Sequence, residues 1–113
     1  MKETTTAGGQ RPFSYKGNLQ DGIQLIFSSY KMSIPSELIT SMIEQYKGKS
    51  VIGGFNMKNP PSEGLGHFVR DYGQRQLDKF ISPRYASHIS AILRDEGIVD
   101  ITKDGRRIVV NFK

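Results

Sequence analysis

Residues 82–113 read SPRYASHISAILRDEGIVDITKDGRRIVVNFK. Ser82 followed by Pro83 marks a helix start: a side-chain cap, then a proline in the first turn, where its missing N–H leaves nothing unsatisfied. Tyr85, Ala86, Ile89, Ile92 and Leu93 then recur at helical spacing, which predicts a helix running to about Glu96 with those side chains inward. Gly97 is a terminating residue. Beyond it the period changes to that of a strand. Val99 and Ile101 belong to one strand and Ile108, Val110 and Phe112 to another, and Asp104-Gly105 between them favours a tight hairpin.

Working back along the chain, Gln74 to Phe80 is polar and partly basic, a turn or an extra helical turn. Ser62 with Glu63 opens an earlier helix that carries Leu65, Phe68, Val69 and Tyr72 on one side and stops at Gly73. Asn56 to Pro61 is a loop, because Asn59 precedes Pro60-Pro61 and a residue before proline avoids helical geometry. Val51-Ile52-Gly53-Gly54-Phe55 has the character of a brief strand. Ser33-Ile34-Pro35 opens a helix whose buried stripe is Leu38, Ile39, Met42, Ile43 and Tyr46, and which Gly48 ends. Further back, Asn18 caps a first helix in which Leu19, Ile23, Ile26, Phe27 and Tyr30 recur, with Gly22 weakening it. Residues 1–17 read as a flexible basic arm carrying Lys2, Arg11 and Lys16, with Phe13 or Tyr15 able to dock on the domain formed by residues 18–113.

The order from Ser33 onward is helix, short strand, helix, helix, hairpin. That order resembles the winged helix-turn-helix superfamily, with Ser82 to Lys113 its most specific stretch. The resemblance is one of architecture. It implies an α+β, mostly α fold with an extra N-terminal helix and a C-terminal two-stranded β-hairpin. It also implies that residues 83–96 form a recognition helix and residues 98–112 a wing. Two features depart from the pattern. The segment Gly73 to Ile81 is longer than the usual turn of about three or four residues, and the helix Leu19–Tyr30 is an addition, suited to a dimer surface or to covering the core.

The function expected from this fold is non-enzymatic binding of double-stranded DNA, as a transcriptional regulator of a prokaryote or phage. With Ile89 and Ile92 inward, helical geometry sends Arg84, Ser87, Ala91 and Arg94 outward, flanked by His88 and Ser90 and preceded by Ser82 at the cap. Arg84 can bond guanine or a phosphate, Ser87 and His88 bases or phosphates, and Ala91 can meet a thymine methyl. Lys103, Arg106 and Arg107 around the hairpin tip suit phosphates or a narrow minor groove, and Arg75 and Lys79 suit the backbone. An ordinary solvated face and a charged, aggregation-resisting turn account for the same residue types. The net charge of +5, from 16 Lys and Arg against 11 Asp and Glu, fits a polyanionic partner, since each phosphate neutralised releases a counterion. A homodimer would add affinity through a paired site. A second expectation of a different class is a protein-interaction module, an accessory subunit or inhibitor, and a third is a recognition module from a larger nucleic-acid enzyme.

Catalysis, cofactors and metals are not expected. The chain has no cysteine, hence no disulfide or thiolate site, and its only histidines are His67 and His88. Gly48-Lys49-Ser50 imitates the end of a phosphate-binding loop, but the glycine such a loop needs five positions earlier is Ile43, inside a helical stripe. Asp71, Asp78, Asp95 and Glu96 are scattered among basic residues, as in surface pairing. No apolar run approaches a membrane span, and Met1 to Gln10 lacks the apolar centre of a secretory signal, so a cytoplasmic protein is expected.

Overall fold

A computed structural model describes residues 1–9, 11–55 and 58–113 of the chain. The N-terminal third is β-structure. Strands β1 (Lys2–Thr5), β2 (Pro12–Asn18), β3 (Gly22–Ile26) and β4 (Lys31–Ile34) form an antiparallel sheet in sequence order. The expected helix from Asn18 to Tyr30 is therefore absent, and so is the mostly α architecture; the expected arm at 1–17 supplies β1 and most of β2. The cause is visible in the local chemistry. Asn18 does not cap a helix: its side-chain oxygen accepts from the backbone N–H of Gln20 (2.9 Å) and Asp21 (2.7 Å), which turns the chain back on itself. Gly17 and Gly22, with φ of +101° and +104°, flank that turn in a conformation that other residues resist. On either side the burial alternates, with Phe13 and Tyr15 inward from β2 and Ile23 and Leu25 inward from β3.

From Ser36 the element order follows the expectation, with shifted boundaries. Helix α1 (Ser36–Tyr46) starts after Pro35, while Ser33 lies in β4 and caps nothing. Leu38, Ile39 and Met42 are buried, and Ile43 and Tyr46 pack at the margin of the core. Gly48 follows at φ +74°. Strand β5 (Ser50–Ile52) is shorter than the apolar stretch that suggested it, and of the expected loop Asn56 to Pro61, Asn56 and Met57 lie outside the described residues. Helix α2 (Leu65–Gln76) runs straight through Gly73. That glycine is not a stop. It is a close approach, where an added methyl would meet the Ile81 side chain and the Lys79 carbonyl at 2.9 Å each. Helix α3 (Tyr85–Asp95) ends at Gly97, φ +78°. Strands β6 (Val99–Asp104) and β7 (Arg107–Phe112) form the hairpin, and β7 also pairs with β5, giving a second sheet of order β5-β7-β6. Asp104 pairs with Arg107, so the turn residues are Gly105 and Arg106, one position beyond the expected pair. Gly105 has φ +65° at the first turn position, as a type II′ hairpin requires.

The core joins both sheets and all three helices. Leu25 from the first sheet, Leu38 from α1, Leu65 and Val69 from α2, Leu93 from α3 and Val110 from the second sheet are completely shielded from solvent. The N-terminal sheet thus adds a layer that lies against α3 and α1, and this placement decides which surfaces remain available.

Candidate nucleic-acid interface

Helix α3 is an internal strut. Ile89 and Ile92 face the interior as the sequence implies, but every residue from Ala86 to Leu93 is buried. The cover comes from the N-terminal strands. Gly8 donates its N–H to Ser87 Oγ (3.0 Å) and Ala7 donates to the Ser87 carbonyl (3.3 Å). The Phe13 ring stands edge-on to His88 with centroids 4.8 Å apart. Arg94 reaches across to β1 and donates through Nη2 to Thr4 Oγ1 and to the Thr5 carbonyl, 3.0 Å each. Reading a major groove needs helix side chains that reach base edges. Ser87, His88 and Ala91, at 7%, 9% and 0% exposure, lie beneath other parts of the same chain and cannot do so in this fold. Arg94 is engaged by β1, and Ser82 is buried, its Oγ accepting the Arg84 N–H at 3.4 Å.

The other expected cations are exposed but separate into groups. Arg75 pairs with Asp71 (3.0 Å) beside the groove between α1 and α2. Lys79 borders a different cleft with Lys16 and Asp21, below the β2–β3 turn. Lys103, Arg106 and Arg107 surround the β6–β7 turn. Arg107 pairs with Asp104 at 3.3 Å, an exposed contact of small energetic value. Lys103 and Arg106 form no side-chain hydrogen bond or ion pair with the described residues.

Two clefts share Phe55 as a lining residue. The first, about 490 Å³, lies between the β1–β2 turn and the start of α3. Arg11 and Arg84, both exposed, stand among its lining residues with Phe27, Tyr30 and Phe55, and Ser87 and His88 contribute from α3. Phe27 and Tyr30 are brought together by the β3–β4 turn, where Phe27 N–H donates to the Tyr30 carbonyl at 2.9 Å; their rings stack at 4.6 Å and 28°. The second cleft, about 480 Å³, is lined by Ile52, Asn59, Pro61 and Ile108 together with Arg106 and Arg107. Phe55 lines both. Its ring rests against Gly8 and Gly53, and a methyl at Gly53 would collide with it, which explains the small residues there. Arg84 thus lines one of two clefts that share Phe55, and Arg106 and Arg107 line the other, whereas Arg75 and Lys79 line neither.

The polar floor of the first cleft is neutral at physiological pH. Burial, aided by the nearby Arg84 charge, holds His88 below its ordinary value of 6.5, against the opposing effect of its backbone hydrogen bond. His88 Nδ1 lies 3.3 Å from the Arg84 carbonyl, which can only accept, so Nδ1 carries the proton and Nε2 is left as an acceptor. The Tyr30 and Tyr85 hydroxyls lie 3.1 Å apart, and burial together with this contact pushes Tyr85 up to about 12. The cleft therefore combines aromatic faces, neutral polar groups and two guanidinium groups.

Phe27, Tyr30 and Phe55 line the candidate site without being singled out for it in the sequence, where Arg11 stands out only as part of a basic arm. Phe27 and Tyr30 recur at a helical spacing, and only the alternation of Ile23 and Leu25 points instead to a strand that delivers them to a turn. Among the described residues, no group of three or more His, Cys, Asp or Glu is arranged to hold a metal ion, and no helix is long and apolar enough to cross a membrane. No protein-family model, curated protein or solved structure matches the chain.

Proposed function

We propose that the protein is a non-enzymatic nucleic-acid-binding module whose contact surface is the arginine-rimmed pair of clefts about Phe55, with α3 as its scaffold. The observation that carries this reading is the convergence of Arg11, Arg84, Arg106 and Arg107 on two clefts that share one aromatic wall. Guanidinium groups bond phosphate oxygens through paired donors, and the net charge of +5 favours approach to a polyanion. The turn between β6 and β7 adds Lys103, a cation with no partner among the described residues. Ser87 and His88 of α3, largely buried, contribute only to the lining of the first cleft.

Binding of labelled oligonucleotides, followed by fluorescence anisotropy between about 50 and about 200 mM salt, tests this directly. Affinity is expected to fall steeply with salt, and Arg106→Ala combined with Arg107→Ala is expected to flatten the slope by about one to two phosphate contacts. A salt-insensitive interaction, or an unchanged slope in the double variant, rejects the reading.

A further inference from the structure

We infer that the cleft between the β1–β2 turn and α3 takes an unpaired nucleobase, so that the protein holds single-stranded nucleic acid in preference to duplex. This rests on the nucleic-acid reading above and goes further, because it names the form of the strand and the group that enters the molecule. The first observation is Tyr30, one of three large apolar side chains left exposed among the described residues, at 49%. Its ring is not loose. It stacks on Phe27 and its hydroxyl is tied to that of Tyr85, so an aromatic face is held in place at a cleft wall. Phe27 is fixed in turn by the edge of His88, with ring centroids 5.5 Å apart. Such a preorganised face suits stacking with a planar ring, and every base offers one.

The second observation is charge. Arg11 lies in the same cleft, exposed, and its guanidinium has no ion-pair partner among the described residues. An aromatic face beside a free cation matches a base joined to its phosphate, whereas a purely apolar occupant would leave the cation without a counterpart. The third is geometry. Base faces in a duplex are covered by their neighbours, and the one helix suited to reading duplex edges is buried here. A strand with its bases unstacked can instead place one base at Tyr30 and carry its backbone past Phe55 towards Arg106 and Arg107, since Phe55 lines both clefts.

The test is anisotropy with labelled DNA and RNA single strands of about 12 nucleotides and a hairpin duplex of the same composition. The protein variants are Tyr30→Ala, Tyr30→Phe and Arg11→Ala. Thermal melts establish that each variant is folded, and Tyr30→Phe preserves the ring if Tyr30→Ala does not fold. Single strands are expected to bind at least about tenfold more tightly than duplex, Tyr30→Ala to lose about tenfold for single strand with little change for duplex, and Tyr30→Phe to retain most of the affinity. The DNA and RNA arms separate the two sources of the same base-and-phosphate chemistry, and tight binding in either supports the inference. Equal affinity for duplex and single strand, or full single-strand affinity in Tyr30→Ala, overturns it while leaving salt-dependent binding through Arg106 and Arg107 intact. Absence of binding to every probe instead rejects the broader nucleic-acid reading, and this inference with it.

Discussion

Ser90 sits in the middle of α3, fully buried, and its hydroxyl has no hydrogen-bond partner among the described residues. A buried hydroxyl without a partner loses its hydration and recovers nothing. Ser90→Ala keeps the helix and removes that group. It is expected to leave stability unchanged or raise it by about 1 kcal/mol, as read by urea denaturation. His88, two positions earlier, makes stability pH-dependent. Its folded-state pKa lies below the ordinary value, mainly through burial, with the Arg84 charge also disfavouring the imidazolium between Phe13, Phe27 and Tyr85. The unfolded chain therefore takes up a proton first as pH falls. The stability contribution is complete above about pH 6.5 and drains away as pH drops through the folded value. Thermal melts are expected to move to lower temperature below about pH 6.5, and His88→Phe, which keeps a ring against Phe13 and Phe27, is expected to reduce that slope. A slope unchanged in His88→Phe assigns the dependence to other groups.

At the scale of elements, Arg94 is one of the side chains that tie β1 to the helix layer. β1 is an edge strand, paired only with β2, and Arg94 bridges from α3 to Thr4 and Thr5. Arg94→Ala is expected to cost about 1 to 2 kcal/mol and to speed amide hydrogen exchange in β1 while leaving the β6–β7 hairpin protected. Uniform acceleration across the chain would show that β1 and the core open together.

The same elements show where sequence reasoning succeeds. The hairpin is legible because alternation of Val99 and Ile101 against Ile108, Val110 and Phe112 coincides with a glycine turn. The three helices are legible from their stripes, and Ile89 and Ile92 do face the core. The N-terminal sheet is not, because Leu19, Ile23, Ile26, Phe27 and Tyr30 satisfy a helical spacing while Ile23 and Leu25 satisfy a strand, and the turn made by Asn18 carries the same residue type as a helix cap. The expectation of an exposed face on α3 follows from that single ambiguity. Small residues such as Ser87 and Ala91 suit a groove of DNA, and they equally suit close packing under a sheet. Only knowledge of the sheet separates the two.

For the molecule as a whole, the consequence is a division of labour between layers. The helices and the second sheet supply most of the core, while the N-terminal sheet closes one side of α3 and brings Arg11, Phe27 and Tyr30 to a cleft that shares Phe55 with the one lined by Arg106 and Arg107 of the hairpin. The most direct test is a titration of isotope-labelled protein with a single strand of about 12 nucleotides, followed by amide chemical-shift mapping. Shifts are expected at Gly8 to Arg11, around Phe55, at Tyr30 and at Gly105 to Arg107, with the interior amides of α3 and the groove between α1 and α2 undisturbed. Shifts centred on the α1–α2 groove, or none at all, would contradict it.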